Sequence, residues 1–188
     1  MNFSEDVEEC LRALRAGGVI LYPTDTVWGL GCDATNAEAV EKIYAIKQRP
    51  ESKALIVLLA DERDIFQYVA QPDLRVFDYL HQTSRPTTVI YPGAIGLAEN
   101  LIAADGSIAI RLVQDEFCRH LIKRFRKPLV STSANVSGQP APAIFSEIPQ
   151  EIVSSASYVV RYRRKDNTIR QPSAVISWNN NGTVKVIR

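Results

Sequence analysis

The sequence contains no long apolar segment and no basic leader. Its longest uninterrupted apolar run, residues 54–60, is far shorter than the roughly 20 residues that a membrane-spanning helix needs. The first residues include Glu5 and Asp6, whereas a secretory signal peptide would begin with basic residues. These absences predict a protein that has no contact with the membrane and works in the cytoplasm.

Cysteine is scarce, and the charge is nearly balanced. Cys10, Cys32 and Cys118 are odd in number and show no Cys-x-x-Cys spacing, which predicts core thiols rather than a disulfide framework or a zinc site. The net charge of +1 and the pI near 7.7 give no overall field that would attract a polyanion. Any nucleic-acid binding must therefore come from a local cluster of cations.

Several familiar catalytic motifs are also missing. The Gly-Leu-Gly segment at 29–31 lacks the third glycine of a dinucleotide fingerprint and the Lys-Ser/Thr pair of a P-loop. No serine stands in a Gly-x-Ser-x-Gly context, and His81 and His120 have no Cys or carboxylate partner at ligand spacing. Triad hydrolases and metal hydrolases are thus disfavoured, and no metal site is predicted.

What remains is ordinary globular composition with alternating helix and strand patterns. With 188 residues, 46% of them hydrophobic and 23% charged, the chain fits one domain spanning 1–188. Apolar spacing predicts helices at 4–16, 36–47, 61–69, 73–81 and 115–125, the first two capped by Ser4 and Asn36. Runs of β-forming residues predict strands at 19–22, 55–59, 87–91, 107–112, 128–131 and 158–160, and a hairpin of 173–176 with 184–187 around Asn181-Gly182. The predicted fold class is therefore α/β with some antiparallel pairing.

Cations cluster at the end of the second predicted helix. Lys47, Arg49 and Lys53 fall within seven residues, and Lys47 takes the next position on the apolar stripe of that helix. Guanidinium and ammonium groups beside apolar walls suit a polyphosphate. A solvated helix end, where cations favour the helix dipole, is the alternative that composition leaves open.

Three further features offer anion-binding groups. Hydroxyls, an amide and backbone N–H groups at 131–138 are expected beyond the carboxyl end of a strand, where open α/β sheets bind ligands; a self-capping polar turn is the alternative. Arg111 shares a strand face with small residues, which suggests an inward anion site; a solvent-facing arginine on an edge strand is the equally weighted alternative. The cations at 161–165 form either a solvated loop or a phosphate or RNA contact, and residues 162–172 are predicted to be a loop.

Four motifs stand in a fixed order along the chain. They are Tyr-Pro-Thr-Asp-Thr-Val-Trp-Gly-Leu-Gly-Cys-Asp at 22–33, Lys-x-Arg-Pro at 47–50, Ile-Arg at 110–111 and Ser-Thr-Ser-Ala-Asn-x-Ser-Gly at 131–138. In order and spacing the chain resembles the YrdC/TsaC-like family of threonylcarbamoyl-AMP synthases from about residue 4 to 188. The resemblance implies a twisted, open mixed α/β sheet with helices on its faces and a deep, positively charged cavity.

The resemblance also implies an activity. The family's nucleotidyltransferase reaction condenses ATP, L-threonine and bicarbonate into L-threonylcarbamoyladenylate and releases pyrophosphate, with Mg²⁺ expected to arrive on the nucleotide. The product would modify the adenosine next to the tRNA anticodon, with the tRNA engaged directly or through a threonylcarbamoyl-transfer complex. The alternatives are a double-stranded RNA or tRNA-binding module without turnover and the carbamoyl-adenylate chemistry of hydrogenase maturation.

Carried over by position, the resemblance assigns roles to residues of each motif. The catalytic residues, which would hold the ATP phosphates, are Lys47, Arg49, Ser133 and Asn135. Further ATP contacts would be Lys53, Ser107 and Arg188, and threonine contacts would be Thr26, Arg111, Ser131 and Ser173. Arg111 would bind the threonine carboxylate with both arms of its guanidinium, and the 162–172 loop would help to close the site.

Overall fold

The structure is a computed structural model that describes residues 3–50, 54–178 and 182–188. Within these residues the helices are α1 (Ser4–Arg15), α2 (Ala37–Lys47), α3 (Arg75–Gln82), α4 (Glu116–Phe125) and α5 (Gln150–Ser155), with 3₁₀ turns at Glu62–Gln67, Glu99–Leu101 and Phe145–Glu147. The strands are β1 (Ile20–Tyr22), β2 (Gly29–Gly31), β3 (Ile56–Leu59), β4 (Thr87–Tyr91), β5 (Ile108–Leu112), β6 (Leu129–Ser133), β7 (Tyr158–Val159), β8 (Ala174–Trp178) and β9 (Val184–Val186). Helices and strands alternate over much of the chain, as predicted, but β1 and β2, and β7 to β9, follow one another without an intervening helix.

The strands form one twisted, open, mixed sheet in the order β7-β1-β2-β6-β3-β5-β4-β8-β9. The pairs β1–β7, β3–β5 and β4–β8 are parallel, and the other neighbours are antiparallel. This arrangement confirms the predicted fold class. It also places β5 between β3 and β4, so Arg111 does not lie on an edge strand, and the solvent-facing interpretation of that residue is wrong.

Helices α2 and α4 begin at residues whose side chains cap them. The Asn36 side chain accepts a hydrogen bond from the Ala39 N–H at 3.1 Å, which confirms it as the cap of α2, and the Asp115 carboxylate caps α4 through the Cys118 N–H. The predicted Ser4 cap is wrong by one position. Phe3 occupies the cap position of α1, because its carbonyl already accepts the first helical bond from the Val7 N–H at 3.0 Å.

The core lies between the helices and the central strands. Leu11 of α1 and Phe117 of α4 are buried, as are Val57 of β3 and Val130 of β6. All three cysteines are buried too, and burial raises the pKa of the Cys10 thiol well above its usual value, so the prediction of core thiols is confirmed. No helix in the described parts of the chain is long and apolar enough to cross a membrane.

Three local features differ from the sequence-based expectation. The 61–69 pattern is a 3₁₀ helix, Glu62–Gln67, rather than an α-helix. Strand β2 and helix α5 were not predicted. The β8–β9 antiparallel pair confirms the predicted hairpin, whereas Asn181 of its proposed turn lies outside the described residues.

Candidate active site

A cavity of about 400 Å³ lies on one face of the sheet. Side chains of adjacent strands that point the same way meet there, because register partners share a face: Ile56 pairs with Ala109 and Ser131, and Thr88 pairs with Arg111. The polar side chains in its lining are Thr26, Arg49, Thr88, Arg111, Ser131, Thr132, Ser133, Ser173 and Arg188. Residues that are far apart in sequence thus come together over the middle of the sheet.

The position of this cavity corrects one expectation. The serines at 131 and 133 were expected beyond the carboxyl end of a strand, but β6 extends through Ser133 and carries both serines on its cavity-facing side. The antiparallel neighbours β2 and β3 pair with this part of β6, which explains why the strand continues. Substrates would therefore lie across the sheet face.

Arg111 is the most unusual polar residue of the cavity. It is 3% exposed, and its Nη2 lies 3.1 Å from Asp25 Oδ1. That contact has ion-pair distance without hydrogen-bond geometry, and Nε and Nη2 of Arg111 donate no hydrogen bond to any described residue. Buried guanidinium donors are costly to leave unpaired. Because Arg111 also lines the cavity, its positive charge favours an anionic ligand there.

Residues with hydroxyl groups line the same cavity as Arg111. Thr26 shares a 3.0 Å hydrogen bond with the hydroxyl of Thr24, and Ser173 shares one of 2.9 Å with the hydroxyl of Thr88. Thr88 faces the cavity directly beside Arg111 and was not among the residues predicted from the sequence. Its strand pattern contained the signal, since alternation on β4 puts Thr88 on the cavity-facing side.

Two further arginines line the cavity. Arg49 donates from Nη2 to the Ala54 carbonyl at 2.9 Å, and burial lowers the pKa of its guanidinium. Arg188 approaches the Ser173 carbonyl at 3.5 Å. Together with Arg111 they supply three permanent positive charges to one cavity, which favours a polyanionic ligand. The predicted depth and overall basicity of the cavity stay predictions.

Lys47 and Asn135 lie outside the cavity lining. Lys47 is 1% exposed, as its place on the apolar stripe predicts, and its ammonium donates to the carbonyls of Ser133 at 2.5 Å and Asn135 at 2.7 Å. The Asn135 amide donates to the carbonyls of Val136 at 3.0 Å and Gln139 at 2.7 Å. Burial, with a smaller effect of Arg49, lowers the pKa of Lys47 to about 8.

Two further predicted ATP contacts are Ser107 and Lys53. Ser107 is half-buried, and its backbone N–H donates to the Asp105 carboxylate at 3.0 Å. It does not contribute to the cavity lining. Lys53 lies outside the described residues. Their roles in ATP binding stay predictions.

The cation run at 161–165 is largely used inside the protein. Arg163 donates to the Asp115 carboxylate at 2.6 Å and to the Thr24 carbonyl, while Arg164 donates to the carbonyls at positions 159 and 160. Both are half-buried, so the interpretation as a solvated run is wrong for these two residues. The 162–172 segment contains turns but no helix or strand, which confirms it as a loop.

The fold and the cavity define a mixed α/β protein with an arginine-lined pocket on its sheet face. The sequence profile of the Sua5/YciO/YrdC family, described as "Telomere recombination", matches residues 12–188. The chain belongs to this family.

Relatives of this chain carry informative names. A protein of Vibrio campbellii named threonylcarbamoyl-AMP synthase is 35% identical over 79% of this chain and 82% of its own length. A protein of the same name from Pseudoalteromonas translucida is 34% identical over 93% of this chain and 94% of its own. The crystal structure of P. abyssi Sua5 with L-threonine superposes with a TM-score of 0.85 at 21% identity, covering 98% of this chain and 54% of that one. This last likeness establishes the fold.

Proposed function

We propose that this chain, as a single catalytic domain, is a nucleotidyltransferase that makes L-threonylcarbamoyladenylate from L-threonine, bicarbonate and ATP, releasing pyrophosphate. The observation that carries the proposal is the buried Arg111 fork, whose Nε and Nη2 donate no hydrogen bond within the described residues, in a cavity that also holds two other arginines. The naming of its relatives as threonylcarbamoyl-AMP synthases supports the same conclusion.

Threonine would bind at the Arg111 end of the cavity. A carboxylate matches the guanidinium of Arg111 in the cavity lining, because a guanidinium and a carboxylate can form two parallel hydrogen bonds. The hydroxyls of Thr26, Ser131 and Ser173 lie in the same lining and would bind the threonine amine and hydroxyl. Neutral hydroxyl groups suit this task since they can both donate and accept.

The nucleotide phosphates would lie toward Arg49, Ser133 and Arg188. In the reaction the threonine amine and bicarbonate give a carbamate and water, and a carbamate oxygen then attacks the α-phosphorus while the bond to pyrophosphate breaks. The substrates supply the nucleophile, so the protein needs only to align them and to neutralise charge on the phosphoryl oxygens. We expect Mg²⁺ to enter on the phosphates, since this ion keeps several waters and takes few protein ligands. The described residues include no cluster of three or more ligating side chains that would form a separate site.

The adenylate is an activated carbamoyl donor, and we propose that it serves tRNA modification in the cytoplasm, with transfer to the adenosine next to the anticodon. Direct tRNA contact or a transfer complex would complete that step. The alternative, an RNA-binding module without turnover, is less well supported. Two of the four cations in the 161–165 run, Arg163 and Arg164, are already bonded to carboxylate and carbonyl groups and are less available for RNA phosphates.

The test is to incubate the protein with ATP, Mg²⁺ and bicarbonate, with and without L-threonine, and to follow pyrophosphate release together with the mass of the adenylate. Threonine-dependent release with a product of the expected mass would establish the activity. Preference for serine or another amino acid would remove the threonine assignment. Salt-dependent RNA binding without any nucleotide turnover would overturn the proposal in favour of the binding module.

A further inference from the structure

Lys47 and Arg49 are two residues apart but lie in different environments. Helix α2 ends at Lys47, and Gln48 adopts a left-handed conformation with φ of 48°. The N–H groups of Gln48 and Arg49 bond back to the carbonyls of Ala45 at 3.1 Å and Tyr44 at 3.0 Å, which closes the last helical turn. This reversal brings Arg49 to the cavity and leaves Lys47 buried beneath the helix end.

The ammonium of Lys47 is engaged with backbone of the segment 133–139. Its two short hydrogen bonds go to the carbonyls of Ser133 and Asn135, and its own carbonyl accepts from the Ser137 N–H at 2.8 Å. An ammonium has three N–H groups, so two are already used. Lys47 therefore holds this segment through both its side chain and its main chain.

Asn135 holds the same segment from within. The residue is 7% exposed, its amide nitrogen bonds to the carbonyls of Val136 and Gln139, and its Oδ1 has no hydrogen-bond partner among the described residues. Asn135 contributes nothing to the cavity lining, whereas Ser133, two residues earlier, does. The four residues predicted to be catalytic thus fall into two pairs. Arg49 and Ser133 line the cavity, whereas Lys47 and Asn135 bond to backbone carbonyls.

We propose that Lys47 and Asn135 are positioning residues, which fix the backbone of 133–139 so that Ser133 meets the phosphates, while Arg49 touches the phosphates directly. The proposal deepens the proposed function and rests on it for the identity of the ligand. Its physical basis is independent of that identity. A buried cation whose hydrogen bonds go to two carbonyls stabilises the conformation that brings those carbonyls together.

The first test needs no activity. Hydrogen exchange would be measured for the free protein and for Lys47→Met and Arg49→Met, a matched pair in which each variant loses a long cation. Amides of 133–139 should exchange at least about tenfold faster in Lys47→Met, because the segment opens locally more often, and should be unchanged in Arg49→Met. Unchanged exchange in a folded Lys47→Met protein would overturn the positioning role.

The second test asks whether Lys47 acts through Ser133. The Kd for Mg-ATP would be measured by calorimetry with each Met substitution alone and combined with Ser133→Ala. If Lys47 acts through Ser133, its loss should cost no more than about threefold once Ser133 is already Ala, whereas the Arg49 loss should persist in full. If the losses of Mg-ATP affinity caused by Lys47→Met and Ser133→Ala instead multiply in the double variant, Lys47 contacts the phosphates directly.

Asn135→Ala provides the same comparison if Lys47→Met does not fold. It should raise exchange in 133–139 and show the same coupling with Ser133→Ala. Absence of both effects would contradict the proposal. If the unsubstituted protein does not bind ATP, the proposed function fails, while the exchange experiment still decides whether Lys47 positions the segment.

Discussion

Two sets of arginines in this chain differ in what their donors contact. Arg163 and Arg164 belong to a dense run of charge, and their guanidinium groups bond to a carboxylate and to carbonyls of the protein, although the Nε of Arg163 has no hydrogen-bond partner among the described residues. Arg111 stands alone in an apolar strand, 3% exposed, with two nitrogens that donate no hydrogen bond among the described residues. Arg111 lines the cavity, whereas Arg163 and Arg164 do not. The local density of charge along the sequence therefore does not mark the cavity.

The physical reason is the cost of burying a cation. An unpaired buried charge is strongly unfavourable, so folding normally supplies partners, as it does for Arg163 through Asp115. For Arg111 the fold supplies Asp25 at ion-pair distance but without hydrogen-bond geometry. A substrate carboxylate would supply the missing acceptors. The comparison can therefore be tested by removing one arginine from each set.

The largest effect is expected for Arg111→Met. Losing a desolvated, two-armed contact to a carboxylate should raise the threonine KM by roughly 100-fold. Arg164→Met is the matched control from the charge run, and it should lower the melting temperature while changing the threonine KM by less than about twofold. Both values come from pyrophosphate release as a function of threonine concentration. Equal KM changes in the two variants would remove the distinction between the two sets.

A smaller effect is expected for Ser173→Ala. The Ser173 hydroxyl is buried, faces the cavity and bonds to Thr88, so its loss removes one neutral hydrogen-bonding group from the site. The threonine KM should rise about fivefold, the equivalent of roughly 1 kcal/mol. Ser177→Ala changes a serine of the same strand region outside the cavity lining and should leave the KM unchanged. A larger KM change for Ser177→Ala than for Ser173→Ala would place the hydroxyl site elsewhere.

The smallest effect on activity is expected for a substitution of Asp6, whose carboxylate bonds to the backbone at the start of the 161–165 run. The Asp6 carboxylate accepts from the Tyr158 hydroxyl at 2.6 Å and from the N–H groups of Arg161 and Tyr162 at 2.9 Å. Burial raises the pKa of Asp6, but these hydrogen bonds together lower it by more. The net pKa of Asp6 therefore lies below the usual value. The ionised group therefore stabilises the fold above about pH 4, and this stability is lost as pH falls through the folded-state pKa.

Asp6→Asn should thus lower the free energy of unfolding by about 2–3 kcal/mol at pH 7, with no change in the threonine KM. Urea denaturation at several pH values would measure it, and the difference from the unsubstituted protein should shrink as pH falls below about 4. A difference that stays constant down to pH 2 would contradict the assignment of this stability to the ionised carboxylate.

Much of the fold could be predicted from local pattern. Helices α2 and α4 and strands β4 and β5 follow from apolar spacing, since each is long enough to show its period. Strand β2 has three residues, two of them glycine, and exists because it packs closely against β6 and β1. A side chain at Gly31 would come within 2.7 Å of the Val130 carbonyl. Such contacts between distant segments leave no periodic signal.

The site was predictable in composition but not in arrangement. Alternation along β5 predicted that Arg111 points inward, and the apolar stripe of α2 predicted that Lys47 is buried. Neither pattern could reveal that the partners of Lys47 are the carbonyls at 133 and 135, because backbone acceptors have no sequence signature. The resemblance to a known family grouped segments of which several meet at the cavity, and the structure shows which of their residues line it.

The most direct test of the account compares L-threonine with L-threoninamide, which lacks the carboxylate, in the unsubstituted protein and in Arg111→Met. Pyrophosphate release would be measured for all four combinations. The account predicts that the unsubstituted protein prefers threonine by roughly 100-fold in kcat/KM and that Arg111→Met loses most of this preference, since the two changes remove the same contact. A full preference for the carboxylate in a folded Arg111→Met protein would contradict it.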